Sequence, residues 1–192
     1  MGPLARAAVT GAGAVVLSAA AIGGGLWLAK DDPGEPHAGD VHTAATGCDA
    51  VSDDVLAEHL PGAVRESTRQ GPLDGGDSLV CVWSGLSEGA ERSVLRVSVS
   101  ALFTDTAAEE PVTGAERVQQ AYAALVPDRA ETVDGGSRVW AGQQPGAVEL
   151  ARASDNLLVR ISYTGVSGGE PVDHERAREA AVAFDQRIGE AL

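Results

Sequence analysis

The sequence predicts an α+β domain, an antiparallel sheet of about five or six strands packed with helices in the order helix, strands, helix, strands, helix. One N-terminal transmembrane helix precedes it. Three observations carry this reading. Residues 7–29 form an uncharged apolar run. Two stretches, 79–101 and 138–164, alternate with the period of strands. Ala115 to Leu125 and Ala177 to Ile188 repeat with the period of helices.

The run at 7–29 suffices to cross a bilayer, which takes about 20 predominantly apolar residues. Arg6 and Lys30 flank it, and no acid occurs before Asp31. All 28 acidic residues follow, against twelve arginines, so residues 31–192 carry a net charge of −16. Basic residues remain cytoplasmic, which places residues 1–6 inside and the C-terminal domain outside, with Trp27 at the outer interface. The segment is long for a secretory peptide and lacks a well-placed small-residue site at its end, so an uncleaved signal anchor is favoured over a cleaved, secreted form. A third route, lipidation at Cys48 within Ala45-Thr46-Gly47-Cys48, lies far from the apolar run.

Residues 31–47 show no hydrophobic period and contain two prolines and three glycines, which predicts a flexible tether of about 23 Å root-mean-square span. His37 and His42 with Asp40 between them fall short of the four ligands on a defined scaffold that structural zinc requires. No metal or other cofactor is expected.

Residues 48–192 then form one extracytoplasmic domain. Cys48 and Cys81 are the only cysteines, and an even count in an oxidising compartment usually pairs. Such a bridge would contribute about 3–4 kcal/mol in the chain-entropy model. A lipidated Cys48 with a buried Cys81, or two free thiols, are the alternatives.

Ser52 followed by Asp53 and Asp54 reads as a helix N-terminus, and the helix should stop before Pro61-Gly62. Leu79, Cys81 and Trp83 alternate with Val80, Val82 and Ser84 as a strand. Leu95, Val97, Val99 and Ala101 alternate with Arg96, Ser98 and Ser100 as a second strand with one polar face, joined to the first by a hairpin. Thr113 and Glu116 match a capping box, with Ala115, Val118, Tyr122 and Leu125 on one helical face until Pro127. Strands at 138–141, 147–153 and 157–164 follow, separated by turn-forming residues. Asp173 caps a final helix that buries Ala177, Ala181, Phe184 and Ile188. Both halves share a helix-then-strands plan without a convincing sequence repeat.

An export segment, a polar tether, Cys48 before a short Asp-rich helix, and Cys81-Val82-Trp83 on a strand together resemble the small exported envelope proteins and lipoproteins of actinobacteria that carry a domain of unknown function. The resemblance covers roughly residues 46–190. It implies a sandwich like that of the photosystem accessory protein PsbP and no established catalytic residues. Many of those proteins carry a lipidated cysteine directly after the signal; this chain has none there, so lipid anchoring is not implied. Arginine dominance, with Lys30 the only lysine, fits a high-GC genome.

Two segments match the Gly-x-Ser-x-Gly pattern, around Ser87 and Ser167. A nucleophile elbow needs a strand, this turn and then a helix, with an acid and a histidine later in the chain. The first match leads into a strand. The second precedes a helix, but His174 is the sole later histidine, and its neighbour Asp173 projects about 100° away on a helix. Both read as turns rather than catalytic serines. His59 beside Glu58 suits a helix C-terminus. Glu109-Glu110 suits a solvated loop. Trp83 and Trp140 are ligand-cleft candidates, although the scarcity of aromatics favours the core for both. Strong acidity argues against nucleic acid, which requires a basic face, and against docking on anionic lipid.

The function expected from the sequence is therefore non-enzymatic: a domain tethered to the cell membrane by its N-terminal helix, binding an envelope protein or a small apolar or cationic ligand. An exported serine hydrolase is the alternative.

Overall fold

The computed structural model describes residues 34–87, 91–107 and 109–192. The apolar segment at 7–29 and its flanks Arg6, Trp27 and Lys30 lie outside the described residues. Among the described residues no helix is long and apolar enough to cross a membrane.

The domain is α+β. Among the described residues eight antiparallel strands are β1 (Val64–Leu73), β2 (Gly76–Ser87), β3 (Glu91–Leu102), β4 (Glu131–Thr132), β5 (Arg138–Ala141), β6 (Ala147–Ser154), β7 (Leu157–Ser167) and β8 (Glu170–Pro171). The helices are α1 (Asp53–His59), α2 (Gly114–Leu125) and α3 (His174–Ala191), with short 3-10 turns at Cys48–Ala50 and Asp134–Gly136. Strand order is β1-β2-β3-β7-β6-β5-β4, and β8 pairs with β7. Two meanders thus meet at the β3–β7 seam, where Val97 lies opposite Ile161.

The strand count exceeds the expected five or six because the extra strands carry no hydrophobic alternation. All residues of β1 are exposed or only partly buried. It is an edge strand, half of whose backbone groups face away from any partner, and its polar and charged side chains discourage pairing with another chain. β4 and β8 are two residues each, too short to show a period.

One sheet face is dry. Leu95, Val97 and Val99 of β3 and Val159 and Ile161 of β7 are fully buried, together with Leu150 of β6. α3 packs on them through Ala177, Ala181, Phe184 and Ile188, as its period predicts, and these residues belong to the same hydrophobic cluster. Asp173 caps α3 by accepting from the Arg176 N–H at 2.8 Å. In α2 the capping box forms in both directions, Thr113 Oγ1 accepting from the Glu116 N–H and Glu116 Oε2 from the Thr113 N–H. Ser52 sits at the N-cap of α1 with extended backbone, but its hydroxyl makes no capping bond. The helix ends at His59, before Pro61-Gly62 as expected.

A buried ion pair fastens α3 to β6. Arg152 donates Nε to Asp185 Oδ1 at 2.8 Å and Nη2 to Oδ2 at 2.6 Å. Ser137 Oγ donates to Oδ2 at 2.8 Å. Asp185 and Ser137 are wholly excluded from solvent, so hydrogen bonding rather than water stabilises the charge.

The tether expected over 31–47 is corrected in its second half, which is fastened to the domain. Asp40 accepts from the Thr104 N–H at 3.1 Å and the Thr104 hydroxyl at 2.8 Å. Asn156 Oδ1 accepts from the His42 N–H, and its Nδ2 donates to His42 O, both at 2.8 Å. Asp77 accepts from the Ala45 N–H at 2.9 Å, and Ala45 is buried. A polar, Gly-rich arm shows no hydrophobic period, yet it docks because distant side chains satisfy its backbone groups. Cys48 then bridges to Cys81, 33 residues on, with the Cα atoms 6.1 Å apart.

Candidate functional site

The second face of the sheet is the open one, and its composition follows from the register. Residues directly opposite in antiparallel strands share a face. One row across the sheet reads Ser67, Val82, Arg96, Ser162, Glu149 and Trp140, from β1 to β5. The adjacent row reads Arg69, Val80, Ser98, Arg160, Ala151 and Arg138. Among the described helices only α2 lies on this side, and its last residue, Leu125, shares a cleft with Ser98 and Arg160.

That cleft is about 590 Å³ and is floored by Ser98, Ser100, Leu158 and Ser162, with Arg96 and Arg160. A second cleft, about 510 Å³, shares Arg160, Glu149 and Leu125 with it and continues to Trp140, Arg129 and Gln143. A third, about 550 Å³, shares Arg96 and extends over Val80 and Val82 to Arg69. Together they form one groove across the strands.

Its electrostatics are locally positive on an acidic chain. Glu149 is already satisfied, by Arg160 Nε at 2.9 Å and Ser162 Oγ at 3.0 Å. Arg96 makes a long contact to Ser98 Oγ at 3.4 Å. Among the described residues neither Arg69 nor Arg96 is ion-paired. Near one end of the groove three large apolar side chains are exposed, Val64 at 60%, Leu86 at 67% and Val94 at 45%. Val64 and Val94 both lie opposite Ser84, and Leu86 lies two residues beyond it on the same strand. Exposed apolar side chains rimmed by polar ones mark interaction surfaces.

The two tryptophans proposed for a cleft are not brought together. Trp83 lies opposite Leu95, on the dry face. It is 2% exposed, with the Arg65 guanidinium 5.2 Å from its ring centroid. As a cleft candidate it is corrected to core, because the sheet's pleat turns it to the dry face. Trp140 lies opposite Glu149 on the open face, is only partly buried, and lines the groove.

Neither serine motif forms an elbow. β2 and β3 pair up to Ser87 opposite Glu91, so the first match joins strand to strand. Around Ser167 the chain runs from β7 through Gly168 and Gly169, both at positive φ, into β8 before α3 begins. The strand-to-helix step read from the sequence is interrupted by β8. Asp173 is spent as the α3 cap, and His174 starts that helix. Among the described residues no three His, Cys, Asp or Glu side chains form a metal-binding group. The Asp40 oxygens are taken by Thr104 and by the His37 N–H at 2.8 Å. Burial alone would raise the Asp40 carboxyl, but the donations from Thr104 and His37 outweigh it and hold it below its ordinary 3.8.

The sequence offers Trp140 as a cleft candidate while favouring the core for it, and nothing in it singles out the arginines that lie beside Trp140 on the sheet. The polar face of β3 was legible from Arg96, Ser98 and Ser100. What aligned it with Arg160 and Glu149 was strand pairing across more than sixty residues of sequence. Comparison with protein-family models, with curated proteins and with solved structures found no match.

Proposed function

We propose that this protein is a membrane-tethered, extracytoplasmic envelope protein that acts by binding, with the open sheet face as its binding surface. The observation that carries this reading is the groove itself, where Arg69 and Arg96, without an ion pair among the described residues, stand near exposed Val94 and Leu86 on a face that α2 partly covers. The acidity of the whole chain suggested a cationic ligand; the local arginines favour an anionic one instead. The anchor at 7–29, flanked by Arg6 and Lys30, and the resemblance to actinobacterial exported proteins support the location. The Cys48–Cys81 bridge is consistent with an oxidising compartment.

A photo-crosslinking residue in place of Val94, in intact cells expressing the full chain, tests the surface. Capture from position 94 and not from the exposed Glu179 on α3 is the expected outcome. Equal capture from both, or none from either, refutes the surface. Serine-reactive fluorophosphonate labelling lost in S167A or S87A would replace binding with hydrolysis. N-terminal sequencing of the mature protein tests the anchor, since a start beyond residue 30 would make the domain a secreted one.

A further inference from the structure

We infer that the groove across the open sheet face binds an extended anionic polymer of sugars or polyols, its acid groups carboxylate or phosphate. This rests on the open face being the binding surface, and it adds the ligand class.

Length is the first argument. The three clefts are joined through Arg96 and Arg160 and reach from Arg69 on β1 to Trp140 on β5. Five strand spacings separate those strands, which is about 24 Å at the usual interstrand distance. A single small anion would occupy a fraction of that path.

Charge placement is the second. Arg96 lies opposite Ser162 and Arg160 lies opposite Ser98, so the two guanidinium groups are diagonal neighbours on adjacent strands. Arg69 stands two strands from Arg96 and one row along, about 12 Å in all, a separation that one small anion cannot bridge and a chain of sugars or polyols can. Arginine binds carboxylate and phosphate through a planar fork of N–H donors. The lone acid of the central cleft, Glu149, is ion-paired by Arg160 and hydrogen-bonded by Ser162, so it does not repel an incoming anion strongly.

The remaining lining selects among anionic chains. Ser98, Ser100 and Ser162 supply hydroxyls, Gln143 a side-chain amide, and Trp140 an aromatic surface at one end. These are partners for sugar or polyol hydroxyls and for a sugar ring face. A peptide fits less well. The groove crosses the strands, whose backbone groups in β2, β3, β7 and β6 are consumed by the sheet. A peptide lying there finds no main-chain partners, unlike one that adds to a sheet edge.

Oligogalacturonates of graded length and a poly(glycerol phosphate) are the probes, one for each acid group, titrated into the full chain in detergent and followed by calorimetry and tryptophan fluorescence. Binding of at least one polymer, tighter for longer oligomers and weakening with salt as counterions are released, is expected. R96Q and R69Q should each weaken it about tenfold while leaving the thermal midpoint unchanged. W140F should remove the fluorescence response and leave the R96Q effect intact. Failure of both polymers, equal binding of a neutral glucan, tighter binding of poly-glutamate or single-stranded DNA, or insensitivity to R96Q and R69Q would overturn the inference. If the polymers fail while position 94 still crosslinks selectively, the ligand class falls and the binding surface stands. If both fail, the surface falls with it.

Discussion

Arg152 grips both carboxylate oxygens of Asp185, at 2.8 and 2.6 Å, at a place where Asp185 has no contact with water. The pair joins β6 to α3, and Ser137 Oγ adds a third hydrogen bond from the start of β5. Desolvation makes such a pair poor evidence of net stabilisation, whereas removing one partner leaves an uncompensated charge. D185A should therefore destabilise the domain by about 3–5 kcal/mol. Replacing both residues with apolar ones of similar volume should cost much less. Urea unfolding of the single and double variants measures the difference.

The docked arm depends on Asp40. D40A removes the acceptor for the Thr104 N–H and hydroxyl and should cost about 1–2 kcal/mol locally. The expected signature is faster proteolysis within residues 37–47, with little change at α3. Because the folded carboxyl titrates below its ordinary 3.8, its contribution is fully present above that value. It is lost as pH falls through the lower folded value. Amide exchange at Thr104 should therefore quicken only in acid below pH 3.8, and D40A should flatten that dependence.

Asn156 does the work of a short strand pairing. Its side chain satisfies both backbone groups of His42 and also Leu102 O, at 2.8, 2.8 and 3.0 Å. N156A leaves these groups unpaired and should destabilise by about 1–3 kcal/mol. N156D sets a buried carboxylate oxygen against the His42 and Leu102 carbonyls and should destabilise at least as much as N156A in chemical denaturation near neutral pH.

The disulfide should be worth about 3–4 kcal/mol by loop-closure entropy. It ties the turn that follows the arm to β2, in the middle of the dry face. C48S/C81S should lower the denaturation midpoint accordingly. Reduction of the wild type should reproduce the shift, and the double variant should not respond to reductant.

Substitutions on the open face should separate binding from stability. V94S exposes no core and removes one of the apolar side chains beside the groove. It should change stability by less than about 0.5 kcal/mol. Selective crosslinking from a neighbouring position such as Leu86 should fall in the same variant.

Where side chains repeat with a period, the sequence was readable. α3 was legible from Ala177, Ala181, Phe184 and Ile188, and β3 from four apolar residues alternating with polar ones, because burial on one side of an element leaves a local pattern. β1 left none, since an edge strand whose middle is Arg, Glu, Ser, Thr, Arg and Gln buries little on either face. The arm was read as free chain for the same reason; its anchors, Thr104, Asn156 and Asp77, lie 32 to 114 residues away.

By itself the sequence determined the α+β class, the helix positions, the cysteine pair and the charge asymmetry across residue 30, all of which depend on local composition or spacing. Tertiary structure alone decided which tryptophan meets solvent and which arginines stand together. Trp83 and Trp140 look alike along the chain, but the register of β2 with β3 sends one into the core, and that of β5 with β6 leaves the other over the groove. Arg69, Arg96 and Arg160 come from three separate strands, and backbone hydrogen bonding between strands is what sets them on one face.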